Sequence, residues 1–236
     1  MGNPAGKSAR REEETAFLCM EQVLRVDIKL ADAGGGDKRP DGFWVYPDCS
    51  ARRGIVEVTS PPAEEKMKTW AADKREGKSR SESGCVPTRL GELGQVCEEL
   101  LAERWAVENT EKLLAYPAHE RHLFLFARTY DVENYFYRLS DTHENGLTEH
   151  VDDLALPEGI SDIWFRGRAK RNGDSLRGST EVWLARFQRA SGWHRYVVSI
   201  EEQQLPSPNP SIADDKVPLN WRQPKDRTMS PQDGQD

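Results

Sequence analysis

The chain has 236 residues, 33 Lys+Arg against 40 Asp+Glu, and a formal net charge of −7. At 36% hydrophobic and 31% charged residues, it fits one domain with polar segments outside the core. No run approaches the roughly 18 apolar residues of a membrane span, no secretory h-region opens the chain, and collagen, coiled-coil and disulfide-scaffold classes are excluded, so the expectation is an acidic, cytoplasmic protein with no membrane partner.

In chain order, residues 1–11 read as a disordered N-terminus. Glu12 to Leu24 carries Phe17, Met20 and Leu24 at helical spacing, with acidic residues in its first turn as the helix dipole favours. Arg25–Ala31 alternates as a strand, with Val26, Ile28 and Leu30 on one face. After the turn at Gly34–Gly36, Gly42–Tyr46 and Gly54–Ser60 read as two further strands, separated by a turn at Pro47-Asp48 and stopped by Pro61-Pro62. Residues 63–83 are highly charged and read as an exposed linker. Pro87 to Tyr116 reads as one or two helices. His122–Ala127 is a short continuous apolar run, the pattern of a strand covered on both faces.

Beyond it, Asp131–Leu139 reads as a helix, and Ile160–Phe165, Glu181–Phe187 and Trp193–Ile200 read as strands. Trp183 and Trp193 read as core aromatics. Residues 203–236, rich in Pro, Gln, Ser and Asp, read as a disordered polar tail. The organisation is therefore a single α/β domain over 12–202, with a core at 12–127 and a C-terminal extension at 128–202.

Several chemistries lack support. None of the four cysteines pairs at CxxC spacing, which argues against structural zinc, and Cys19 reads as a small core hydrophobe. His119 and His122 read as flanking a helix-to-strand junction. No GxSxG, HExxH or GxxxxGK[ST] sequence occurs.

One constellation remains: Pro40-Asp41, then Glu57-Val58-Thr59. If strands 41–47 and 54–60 form a hairpin centred near residue 50, Asp41 stands opposite Thr59. Glu57 then lies two residues along on the same face, near enough for both carboxylates to share a cation; a slip of one residue would separate them. Two carboxylates with a backbone carbonyl and waters suit Mg²⁺ or Mn²⁺, which can activate water and neutralise phosphate charge. Glu57 also interrupts the apolar run Ile55-Val56-Glu57-Val58, where an unpaired carboxylate is costly.

These residues, in the order α-β-β-β-α-β over roughly 12–127, resemble the PD-(D/E)xK superfamily, the restriction-endonuclease-like fold. They are also similar to uncharacterised bacterial proteins with an EVT strand. The resemblance implies a mixed sheet flanked by helices, here with additional C-terminal strands, and metal-dependent hydrolysis of a nucleic-acid phosphodiester. It assigns the metal to Asp41 and Glu57, with an acidic residue of the first helix, Glu21 or Glu14, assisting. The family's usual third residue is Lys, and this sequence has Thr59, which brings a hydroxyl and no charge. Candidate donors of the charge are Lys66, Lys68 and Lys29. The alternative is an inactive binding or interaction module on the same fold, in a bacterial defence or regulatory system.

Overall acidity argues mildly against a strong grip on DNA. Two basic segments argue the other way: residues 66–80, with Lys66 and Lys68, and residues 166–177, with Arg166, Arg168, Lys170 and Arg171 around a hairpin-type turn at Asn172-Gly173. Basic residues projecting from these loops could meet phosphates. A homodimer is one oligomeric state left open.

Overall fold

The structure is a computed structural model that describes residues 11–31, 39–62, 69, 72–73, 75–78, 92–141, 153–172, 178–201 and 204–205. Of the expected disordered N-terminus, 1–11, only Arg11 is described, and it opens a helix; of the expected polar tail, 203–236, Gln204 and Leu205 are described, and Leu205 is buried in the core. Most of 63–83, with Lys66 and Lys68, lies outside the described residues.

Helix α1 spans Arg11–Leu24. Its Ala16, Phe17, Cys19 and Met20 are buried, the helical stripe expected from the sequence. The helix ends where Arg25 takes a left-handed conformation (φ +56°) and its amide bonds the Glu21 carbonyl. That reversal uses residues the alternating pattern assigned to a strand. Strand β1 is consequently only Lys29–Leu30, although Val26, Ile28 and Leu30 are all buried as the alternation predicts.

Strand β2 spans Gly42–Tyr46 and β3 spans Cys49–Thr59. Helices α2, Leu93–Ala102, and α3, Arg104–Leu114, follow. Their junction is Glu103, whose extended ψ of 148° breaks the helical path. Strand β4 is Glu120–Leu125, and helix α4 is Tyr130–Ser140. Strands β5, Asp162–Asn172, β6, Ser179–Gln188, and β7, Gly192–Glu201, complete the set.

All seven strands form one sheet in chain order, β1 to β7. Strands β3, β4 and β5 run parallel, and every other neighbouring pair is antiparallel. Residues 162–201 therefore extend the first sheet and form no separate lobe. The two parallel connections pass through α2–α3 and α4.

The sheet is covered on both faces. On one, α1 packs with Val56, Phe124, Trp164, Leu184 and Ile200. On the other, residues of α2, α3 and α4 pack with Ile55, Leu123, Leu125, Phe165 and Phe187. The run at β4 divides accordingly: Leu123 and Leu125 face one side, Phe124 and Phe126 the other. Each fully buried Leu or Phe contributes about 1.5–3 kcal/mol. Trp193 is half-buried against Phe165 and Phe187, as read from sequence. Trp183 is half-buried outside both clusters, under the Arg168 guanidinium.

The basic segment at 166–172 is not a loop. Strand β5 runs through it, and Ala169, Lys170, Arg171 and Asn172 pair with Val182, Glu181, Thr180 and Ser179. Alternation was obscured there because the register shifts between Arg166 and Ala169, which rephases the inward and outward positions. Among the described residues, no helix is long and apolar enough to cross a membrane.

Candidate functional site

The hairpin of β2 and β3 sets the site. Gly42 pairs with Val56, Phe43 with Ile55, Trp44 with Gly54 and Val45 with Arg53, before the register shifts at the turn. Extended one step, this places Asp41 opposite Glu57 rather than opposite Thr59. The difference is two residues. A two-residue shift preserves which face each side chain meets, so the expected convergence survives the wrong partner. The Asp41 carbonyl accepts the Ala31 amide at 2.9 Å, and its Oδ2 accepts the Val58 amide at 2.8 Å. The first ties the residue to the end of β1 and the second to β3.

Glu57 is 5% exposed. Its Oε1 accepts a hydrogen bond from Lys112 Nζ at 2.7 Å, and its Oε2 is buried with no hydrogen-bond partner among the described residues. Burial, and then the charge of Asp41, push the Glu57 carboxyl up to about 8, while the Lys112 ammonium pulls it the other way. Burial and the neighbouring carboxylate both favour the protonated form of Glu57.

Lys112 comes from α3. Ala106, Thr110 and Leu113 form that helix's buried stripe, with Asn109 and Lys112 beside it at i, i+3 spacing. Asn109 Nδ2 donates to Thr59 Oγ1 at 3.1 Å and to the Trp105 carbonyl at 2.7 Å. Asp41, Glu57 and Thr59 thus share the sheet face covered by α3, with an ammonium and an amide above them. The hydroxyl of Thr59 accepts from Asn109, which leaves its own proton available toward the site.

The remaining sequence candidates lie elsewhere. Glu21 sits on α1, whose core residues pack on the opposite sheet face, and its Oε1 accepts the Ile28 amide at 2.8 Å. Glu14, on the same helix, is buried at 1% exposure. Lys29 is exposed, opposite Phe43. Lys66 and Lys68 lie outside the described residues. Arg166 is no projecting loop residue: its guanidinium lies 5.7 Å from the Phe126 ring centroid, and its Nε is buried without a hydrogen-bond partner among the described residues. Arg168 and Lys170 are exposed on β5, and Arg171 lies on the same strand.

Sequence reading missed Lys112 and Asn109. The signal was present in the polar positions that border the apolar stripe of α3, but nothing in the sequence says which strand that border overlies.

A second polar cluster lies at the opposite end of the parallel strands. Glu120 accepts hydrogen bonds from the Tyr46 hydroxyl and from Arg52. Asp162 accepts from Arg186 Nε at 2.9 Å. His122, fully buried, lies between the two carboxylates, with Nε2 3.0 Å from Asp162 Oδ2 and 3.6 Å from Glu120 Oε2. Trp164 Nε1 donates to His122 Nδ1 at 3.1 Å. An accepting Nδ1 requires the ring proton on Nε2, so that nitrogen has no lone pair for a metal and the cluster is a structural lock. Burial raises Glu120, but the nearby His122 ring and the hydrogen bonds from Tyr46 and Arg52 outweigh it and hold the carboxyl at about 2. Among the described residues no group of three or more His, Cys, Asp or Glu is arranged to hold a metal ion. Cys19 and Cys97 are buried free thiols, both raised by burial and hence unreactive.

Comparison with protein-family models, with curated proteins and with solved structures finds no match.

Proposed function

We propose that the chain is a metal-dependent nuclease-like hydrolase of the restriction-endonuclease-like class. Its divalent site is formed by Asp41 and Glu57, and its ammonium is Lys112. The observation that carries this reading is the juxtaposition on one sheet face of Asp41, Glu57 and Lys112, with one Glu57 oxygen bonded at 2.7 Å and the other buried without a partner among the described residues. An orphaned carboxylate oxygen beside a second carboxylate fits a hard cation such as Mg²⁺ or Mn²⁺. When bound, such an ion supplies Lewis acidity toward a phosphodiester and lowers the pKa of water.

The chain's own residues supply the rest. Lys112 brings from the helix the positive charge that Thr59 does not, placed to offset charge developing on a phosphate. Thr59, held by Asn109, offers a hydroxyl proton on the same face. The α-β-β-β-α-β order of the first four strands and their helices supports the assignment of the class, with α2 and α3 together in the place of the second helix.

Calorimetric titration with Mn²⁺, followed by incubation with single-stranded and duplex DNA and RNA, tests the reading. Binding to the full chain, lost in Asp41→Ala and in Glu57→Ala, and cleavage lost in Lys112→Met with metal binding retained, are the expected results. Unchanged Mn²⁺ binding in Asp41→Ala would refute it.

A second reading, a non-catalytic module on the same fold, is favoured by the Lys112–Glu57 ion pair itself. That pair compensates the buried carboxylate without a metal ion. Absence of Mn²⁺ binding in the parent chain would select it.

A further inference from the structure

The N-terminal turn of α4 and the outer part of β5 enclose a depression of about 460 Å³, lined by Tyr130, Glu133, Asn134, Tyr137 and Arg168. Its composition is unusual for a surface hollow. Tyr130 is 43% exposed. The Arg168 guanidinium lies 5.5 Å from the Trp183 ring centroid. Among the described residues, the side chains of Tyr130, Asn134, Tyr137 and Arg168 make no hydrogen bond or ion pair. Glu133 lines the same hollow, and its charge also acts on the buried Arg166. Aromatic rings, a stacked guanidinium, a free amide and a carboxylate acceptor within so small a volume match a planar heterocycle that carries both donors and acceptors.

The hollow shares an end of the sheet with the carboxylate pair. Thr59, Leu125 and Phe165 stand in register across β3, β4 and β5, and Arg168 follows three residues beyond Phe165. Two strand spacings and three residues of rise put Arg168 about 14 Å from Thr59. Helices α3 and α4 cover the same face, so one bound strand could reach both positions.

We propose that this depression binds one unpaired nucleobase of a single-stranded nucleic acid, packed against a tyrosine ring and the Arg168 guanidinium with its edge hydrogen-bonded to Asn134 and Glu133. Duplex is a poor ligand because its bases remain in the stack. The inference names the substrate class of the hydrolase reading and rests on it for its consequence, namely which strand is cut. The binding itself needs no metal.

Fluorescence anisotropy tests it, using the full chain in EDTA with fluorescein-labelled single-stranded DNA, single-stranded RNA and duplex DNA of the same mixed sequence. Arg168→Glu and Tyr130→Ala, both exposed positions, should each weaken single-strand binding by about tenfold while circular dichroism and Tm stay as in the parent. Lys170→Glu, two residues along the same strand and outside the hollow, should leave binding within about twofold. Equal weakening by Lys170→Glu and Arg168→Glu would mean a diffuse electrostatic grip and overturn the proposal. Equal affinity for duplex would overturn it too, as would absence of single-strand binding. The DNA and RNA arms decide which sugar is accepted. Single-strand binding by the parent without any Mn²⁺-dependent cleavage sinks the hydrolase reading alone. Cleavage insensitive to Arg168→Glu and Tyr130→Ala sinks this one alone.

Discussion

At the scale of single residues, Glu57 carries the most information. An ordinary glutamate ionises near 4.5, whereas in the fold this one is raised to about 8 by burial and by Asp41. Between those values the folded chain binds a proton that the unfolded chain has released. Stability attributable to this carboxyl therefore falls as pH rises from about 4.5 to about 8 and is flat above. Glu57→Gln should remove that slope, so unfolding free energies from urea titrations at pH 5 to pH 9 should move in the variant's favour across the window, by on the order of a few kcal/mol at its upper end. Under the proposed metal site, Mn²⁺ would bind only the ionised pair, so its affinity in the parent should rise with pH through the same range and level off above it. Glu120 has the opposite sign. Held at about 2 by its donors against the cost of burial, it contributes stability that is present above its ordinary value and lost as pH falls from about 4.5 toward 2. Acid unfolding followed by circular dichroism should begin at higher pH in Tyr46→Phe, which removes one of those donors. The two carboxylates of the site were legible in the sequence because Glu57 breaks an apolar run. Lys112 was not, because a lysine on a charged helix looks like any solvated lysine until the helix is placed.

At the scale of elements, register decides what the hairpin can do. A sequence can show that two strands alternate, but the exact partner depends on how many residues the turn consumes. At the irregularity between Val45 and Tyr46, Val45 pairs with Arg53 but Tyr46 with Cys49, so β3 carries three unmatched residues, and the register beyond them sets Asp41 against Glu57. Face was legible and partner was not, since face depends only on parity. The pairing is also pinned by Gly54, opposite Trp44. A Cβ at Gly54 would stand 2.1 Å from Trp44 Cζ2 and 2.2 Å from Cε2, inside a ring that is 1% exposed. Gly54→Ala should therefore destabilise the chain by at least about 2 kcal/mol in urea unfolding, and an exposed substitution such as Val45→Thr should change it little. Strand β5 shows the reverse failure. Its outer half was read as a loop because five basic residues within 166–177 suggested solvent, whereas a strand shared with β6 satisfies the backbone whatever the side chains carry.

At the scale of the whole molecule, one sheet separates two apolar layers that share every central strand. Leu123 and Phe124 are adjacent in β4 and fully buried on opposite faces. Truncating either should cost about 2–5 kcal/mol, and tryptophan fluorescence and far-ultraviolet dichroism should still report a single coincident urea transition in both variants. Two separated transitions would show that the layers unfold independently. The α/β class, the helix-sheet alternation and the doubly covered fourth strand were readable because each is a property of local periodicity. That residues 162–201 continue the same sheet was not readable, since antiparallel strands with alternating faces can add to a sheet or close one of their own.

Helix α1 and strand β7 meet across the finished sheet. Gln22 of α1 donates its side-chain amide to the carbonyl of Ser199, 177 positions later in the chain, at 2.7 Å. On a translating ribosome at about 5–20 residues per second, that partner emerges about ten to forty seconds after the helix does. Throughout that interval the stripe formed by Phe17, Cys19 and Met20 has only part of its final cover. A nascent-chain holdase that recognises short apolar helices would find its best substrate there, and a synonymous recoding that slows elongation before residue 190 would prolong the exposure without altering one amino acid.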